Sequence, residues 1–149
     1  MIHIRLATPV DVPAIRSCAE AAYSQYIASI GRPPAPMLAP FEKQVDRGET
    51  YVAEDHADHF LGYITFQIRD RVVSLESIAV RQPGQGIGKQ LITFCEAAAK
   101  AGGAKAVTLY TNEKMTANLT LYPHLGYVEI ARRTDEGFNR VYFEKVLAP

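Results

Sequence analysis

The stretch with the most chemical content begins at position 84. Gly84-Gln85-Gly86-Ile87-Gly88 follows a run rich in Val, Leu and Ile and precedes a run with helical periodicity. Strand, glycine loop and helix together form an arrangement that binds phosphate. Successive backbone N–H groups point into one concavity, and the helix N-terminus adds partial positive charge. Glycines let a ligand approach the backbone closely and adopt dihedral angles that other residues avoid. A P-loop would need Gly, four residues, then Gly-Lys-Ser/Thr. Here Gln90 follows Gly88-Lys89, and Pro83 stands where the first glycine belongs, so that pattern fails. A dinucleotide fingerprint reads G-x-G-x-x-G at the first βαβ unit. This loop reads G-x-G-x-G and follows a meander in mid-chain. A glycine turn that binds nothing is the plain alternative.

Other reactive side chains do not gather. The two cysteines, Cys18 and Cys95, fall on apolar positions of expected helices and read as buried thiols. The four histidines, His3, His56, His59 and His124, have no ligand spacing, so no metal site is expected.

The elements that must position the loop follow from periodicity. Residues 2–6 alternate and read as a strand. Thr8-Pro9-Val10-Asp11 opens a helix with a capping residue, a proline at the first turn and an acid at the capping-box position. Val12, Ile15, Ala19, Ala22, Tyr23, Tyr26 and Ile30 repeat at three and four residues as one inward face. Gly31-Arg32-Pro33-Pro34-Ala35-Pro36 ends it as a stiff loop. A short helix is expected over 40–47. Strands at 50–54, 60–68 and 72–80 form a meander that runs into the glycine loop. A helix over 87–101 stops at Gly102-Gly103. A strand at 106–111 has the apolar start expected of a parallel pair. A short helix at 114–122 and a hairpin of 127–132 with 141–146 complete the chain.

The 149 residues fit one domain spanning 1–149. Lys+Arg and Asp+Glu balance at 16 each, and no basic stripe stands out, which argues against a nucleic-acid partner. No run approaches the ~20 apolar residues of a membrane span. The first residues carry no signal-peptide pattern, so a cytoplasmic location is expected.

A second motif lies about thirty residues after the glycine loop: Leu109-Tyr110-Thr111-Asn112-Glu113, then Asn118-Leu119-Thr120-Leu121-Tyr122-Pro123-His124-Leu125-Gly126-Tyr127. With Leu75-Glu76-Ser77-Ile78-Ala79-Val80 and the glycine loop, it resembles the two signatures of the GCN5-related N-acetyltransferase (GNAT) superfamily. The order of elements agrees over essentially the whole chain. Gly86 and Gly88 match the acetyl-CoA loop. Pro83 departs from the Gln or Arg that usually opens it, and offers neither a polar side chain nor an N–H. Gln82 stands one position earlier.

The resemblance implies an α/β fold, the acyl-CoA N-acyltransferase fold: a splayed mixed sheet of about six or seven strands with helices on both faces. It implies acetyl transfer from acetyl-CoA to a primary amine by direct attack in a ternary complex, without a metal. Glu76 is then the candidate base and Tyr122 the candidate acid. A lysine-like amine with pKa ~10.4 is only about 0.04% neutral at pH 7, so a base is needed. Ile78, Ala79 and Val80 would flank the thioester, with a backbone N–H near Ile78 or Ala79 meeting its oxygen. The N–H groups of Gln85, Gly86, Gly88 and Lys89 would meet the diphosphate. Asn118, one helical turn before Tyr122, would hydrogen-bond the cofactor arm.

The acceptor is expected where the first helix and the Gly31–Met37 loop form a wall, with Tyr26 and Arg32 as candidate contacts. Arg32 suits a substrate carboxylate, and a solvated arginine suits the pattern equally. An amino-acid-like acceptor, a polyamine, an aminoglycoside and a protein N-terminus all remain open. So do a non-catalytic acyl-CoA sensor and transfer of a longer acyl group. The apolar last strands are compatible with a homodimer.

Overall fold

A computed structural model describes residues 2–148. The elements in chain order are β1 (Ile2–Leu6), a 3₁₀ turn (Pro9–Asp11), α1 (Val12–Tyr23), α2 (Ile27–Ile30), α3 (Phe41–Asp46), β2 (Thr50–Asp55), β3 (Phe60–Arg69), β4 (Val72–Val80), α4 (Ile87–Ala101), β5 (Ala106–Asn112), α5 (Thr116–His124), β6 (Val128–Asp135) and β7 (Phe138–Val146). The strands form one seven-stranded sheet in the order β1-β2-β3-β4-β5-β7-β6. Every neighbouring pair is antiparallel except β4 with β5.

Helices cover both faces, and each face has its own core. On one side α4 buries Ile87, Leu91, Ile92, Cys95 and Ala99 against Ile64, Val73, Leu75, Val107 and Phe143. On the other, α1 and α3 bury Ile15, Ala19, Tyr23, Phe41 and Val45 against Val52, Tyr63 and Ala79. The Thr8 N–H donates to the Asp11 carboxylate at 2.7 Å, and Arg5 reaches the same carboxylate at 2.8 Å, so the chain turns from β1 into α1 through a capped and charged corner.

Two expectations need correction. The first helix does not run unbroken to Ile30. A 3₁₀ turn at Ser24–Tyr26 breaks the register, and α2 ends at Gly31 with φ 93°. Tyr26 and Ile30 are therefore only partly buried. The last hairpin is longer than expected, because polar Arg133, Thr134 and Asp135 stay in strand conformation on the outer strand β6 and β7 starts already at Phe138. β6 leaves Val128 and Ile130 largely exposed.

The feature that makes the site is a bulge in β4. On β3, Phe66 opposes Leu75 and the adjacent Thr65 opposes Ser77, which leaves Glu76 as an extra residue. A bulge bends the strand and reverses which face its side chains take. Before it, Val73 and Leu75 join the α4 core. After it, Ala79 joins the α1 core, and Ile78 and Val80 pack toward α4. The parallel pairing of β4 with β5 covers only Val72–Leu75 against Ala106–Leu109. β4 then continues along β3 to Val80 and β5 along β7 to Asn112, so a wedge opens between them.

Candidate active site

Backbone groups along the wedge lose their strand partner, and the structure shows where they turn. The Arg81 N–H donates to Leu61 of β3 at 2.8 Å. Strand alternation then directs the Ala79 N–H toward β3 and those of Ile78 and Val80 toward the wedge. Of the two N–H groups expected near the thioester, that of Ile78 faces the wedge and that of Ala79 does not. The Ile78 carbonyl on the same side is held by the Tyr23 hydroxyl of α1 at 2.5 Å. Tyr23 was placed on the helix face by its periodicity, but nothing in that spacing pointed to its hydroxyl bracing β4. Gly62 of β3 makes the strand approach feasible, since a Cβ there would lie 2.7 Å from the Ala79 carbonyl oxygen.

Two cavities meet at this point. An outer groove runs between α1 and the start of α4, walled by Tyr26, Val80, Pro83, Gly88, Lys89 and Leu121. An inner chamber lies between β4 and β5 beneath the Pro34–Pro36 loop, walled by Glu76, Ser77, Tyr110, Asn112, Phe138 and Arg140. Tyr23, Ile78, Asn118 and Tyr122 line both. A third cleft, reached past Arg32, Leu38 and Gln44, shares Glu76, Tyr110 and Phe138 with the inner chamber.

Tyr122 sits where the two cavities join. It is 4% exposed, edge-on to Tyr127 with ring centroids 5.8 Å apart and tilted against Phe143. Its hydroxyl has no hydrogen-bond partner among the described residues. Burial pushes the phenol up to about 12. Asn118, one turn earlier, donates from Nδ2 to Thr111 Oγ1 at 3.1 Å and leaves its Oδ1 without a protein partner among the described residues. Glu76 is half-buried, and Ser74 Oγ donates to its Oε1 at 3.2 Å. Glu76 stands at the bulge and lines the chamber.

The glycine loop has the cradle geometry. Gly84 and Gly86 take φ of 85° and 76°, and a Cβ at either would meet nothing within 4 Å. The first intrahelical bond of α4 runs from Gln90 N–H to Gly86 O at 3.1 Å. The N–H groups of Ile87, Gly88 and Lys89 therefore precede the helical ladder. Gln82 and Gln85 are tied to each other, side chain to side chain, at 2.9 Å. Arg81 joins Lys89 on the groove wall. A lone arginine after a strand carries no motif, so the sequence does not mark Arg81.

The acceptor candidates fall in different places. Tyr26 lines the outer groove, not the inner chamber. Arg32 stands at the third cleft, with its guanidinium 3.7 Å above the Phe138 ring and bonded to the Glu136 carbonyl. It pins the proline loop to the β6–β7 turn. Cys18 and Cys95 are buried, and burial pushes their thiols to about 11 and about 12, so neither is a ready thiolate. Among the described residues no group of three or more His, Cys, Asp or Glu is gathered as a metal site. No helix among them is long and apolar enough to cross a membrane.

The sequence profile of the Acetyltransferase (GNAT) family matches residues 15–127. No curated protein sequence is significantly similar to the chain. Solved structures resemble it over its full length. The ribosomal-protein-S18-alanine N-acetyltransferase of Escherichia coli matches with TM-score 0.79 at 18% identity, over 100% of this chain and 96% of that one. The paia N-acetyltransferase of Thermoplasma acidophilum, in complex with coenzyme A, matches with TM-score 0.80 at 17% identity, over 99% of each chain. An acetyltransferase of Bacillus subtilis in complex with CoA matches with TM-score 0.75 at 20% identity, over 99% of this chain and 100% of that one. At these identities the likeness is one of fold, the acyl-CoA N-acyltransferase fold. With the family profile covering about three quarters of its length, from α1 to the start of the last hairpin, the chain belongs to the GNAT family of acetyltransferases.

Proposed function

We propose that the protein is an N-acetyltransferase that moves the acetyl group of acetyl-CoA to a primary amine of a small molecule or peptide, by direct attack in a ternary complex. The observation that carries this reading is the wedge at Glu76: Ile78, with its wedge-facing N–H, and Tyr122, with its free hydroxyl, line both cavities where they join, and the half-buried Glu76 carboxylate lines the inner chamber next to them.

The outer groove suits a long, thin cosubstrate ending in phosphates. The N–H groups of Ile87, Gly88 and Lys89, with the Lys89 and Arg81 side chains, offer donors and positive charge to a diphosphate. Of the N–H groups expected there, those of Gly88 and Lys89 fit best; Gln85 and Gly86 lie in the turn ahead of the helix. Pro83 adds only a wall. Asn118 Oδ1 is free to accept from an amide N–H of the arm. Two of the structures that share the fold contain coenzyme A.

Acetyl-CoA supplies an acetyl group activated as a thioester. The Ile78 N–H stabilises negative charge developing on the thioester oxygen. Glu76 accepts one proton from the incoming ammonium and passes it to solvent, which frees the nitrogen lone pair to form the new C–N bond. As the C–S bond breaks, Tyr122 donates a hydrogen bond to the sulfur that takes the electron pair. The second nitrogen proton ends on that sulfur.

Calorimetry with acetyl-CoA, and with NAD and ATP as controls, tests the groove. Thiol release with a panel of amines in the same sample tests transfer. Binding with release supports the proposal. Binding without release from any amine points to an acyl-CoA-binding module. No binding of acetyl-CoA refutes it.

A further inference from the structure

Resting on the reading above, we infer that the acceptor is a compact zwitterion whose carboxylate is held by Arg140 while its amine faces Glu76.

Arg140 is a buried arginine in the wall of the inner chamber, with a side chain only 5% exposed. It stands on β7 directly opposite Asn112 of β5. Its guanidinium lies 4.1 Å above the Tyr110 ring and 5.5 Å from that of Phe138, which fixes its plane. Nη1 donates to Asp135 Oδ2 at 3.0 Å. Nη2 lies 3.8 Å from Glu136 Oε2, too far for a hydrogen bond. Nε has no partner among the described residues, and neither Nε nor Nη2 is fully buried. The Nε–Nη2 edge of this arginine is therefore a vacant planar fork, the shape that takes a carboxylate through two parallel bonds.

The two carboxylates beside Arg140 both stand in solvent. Asp135 and Glu136 have side chains 52% and 76% exposed, so solvent screens them, whereas Arg140 is held away from water. The other charge on the inner chamber wall is Glu76, on β4, two strands away across β5. A cation beside Glu76 and an anion beside Arg140 complement the chamber in one orientation. Arg32 does not compete for this role, because it lines the third cleft and not the inner chamber.

The test is acceptor kinetics on the intact protein at saturating acetyl-CoA. α-, β- and γ-amino acids are compared with the same amines lacking the carboxylate and with the corresponding amides. The amide's amine is the weaker base and the decarboxylated amine the stronger, so a preference over both is not a matter of basicity. The expected result is a kcat/KM higher by about 100-fold for the carboxylated acceptors, the scale of a charge-assisted bidentate contact. In R140M that advantage should fall to a few-fold, mainly through KM, with acetyl-CoA affinity unchanged. If R140M does not fold, the comparison on the unaltered protein decides alone. Amides or decarboxylated amines that serve as well overturn the inference and leave the acetyltransferase standing. Acetyl-CoA binding with no release from any amine overturns both.

Discussion

Replacing Tyr122 with Phe removes one oxygen and leaves the ring contacts with Tyr127 and Phe143 in place. The hydroxyl has no protein partner among the described residues, so its loss should change stability by no more than about 0.5 kcal/mol. The effect on rate follows from the phenol's acidity. Burial holds it at about 12, while an ordinary thiol titrates near ~8.5. Complete transfer of the phenolic proton to a leaving thiolate would be uphill by about 5 kcal/mol. In the mechanism proposed above, Tyr122 therefore acts as a hydrogen-bond donor to the charge growing on sulfur, not as an acid that ionises. A fixed donor of that kind contributes about 3–4 kcal/mol in a site that excludes water, or 10²–10³ in rate. Tyr122→Phe should lower kcat by that factor, with the acetyl-CoA dissociation constant unchanged within about two-fold. The assay is thiol release at saturating acetyl-CoA, with calorimetry for binding and a melting curve for folding. The pH–rate profile between pH 6 and 10 should keep its shape, because a phenol near 12 does not titrate there. A fall in kcat of less than about five-fold would refute the hydrogen bond to sulfur. A changed alkaline limb would refute the acidity on which the magnitude rests.

Glu76→Gln should lower the rate by about 10²-fold below neutral pH, with the deficit shrinking as pH rises and free amine appears; an unaltered pH profile would remove Glu76 from the chemistry. Asn118→Ala should weaken acetyl-CoA binding by roughly ten-fold with little change in kcat, measured by calorimetry. Gly62→Ala pushes a methyl group against the Ala79 carbonyl, and overpacking of this kind costs about 1–3 kcal/mol; the melting temperature should fall by about 3–8 °C and acetyl-CoA affinity should drop with it. Stability should decline as pH falls from about 4 toward 2. Arg5 holds the Asp11 carboxyl below its usual range, and the His59 N–H bond does the same for Asp55, at about 2. The unfolded chain takes up these protons first, so the stabilisation is present above the ordinary carboxylate range and is lost on the way down. Arg5→Met should make the acid limb shallower, as read from melting curves at several pH values.

How much of this could be read in the sequence depends on whether the signal was local. The β2–β3–β4 meander, the parallel pair and α4 each carry their own periodicity, and α4 begins and ends at the residues its glycines mark. Glu76, Tyr122 and Asn118 entered through a resemblance and lie on one wall of one chamber, because the bulge and α5 converge there. The bulge itself left only a faint local mark. The apolar positions shift from 73 and 75 to 78 and 80 across the polar pair Glu76-Ser77, but which residue is extra is fixed only by the register with Thr65 and Phe66 across the sheet. The same limit hid Arg140. In sequence it is one more charged residue on a polar hairpin, with Arg132 and Arg133 nearby. Burial selects it, because β7 lies inside the sheet with β6 outside it. Arg32 is the mirror case: a proline loop made it conspicuous, yet a long-range contact with Phe138, more than a hundred residues on, commits its guanidinium to holding the loop. What distinguishes the two arginines is where the fold puts them, Arg140 buried on the inner chamber wall and Arg32 at the third cleft, and that placement is set by contacts between strands and loops far apart in the chain.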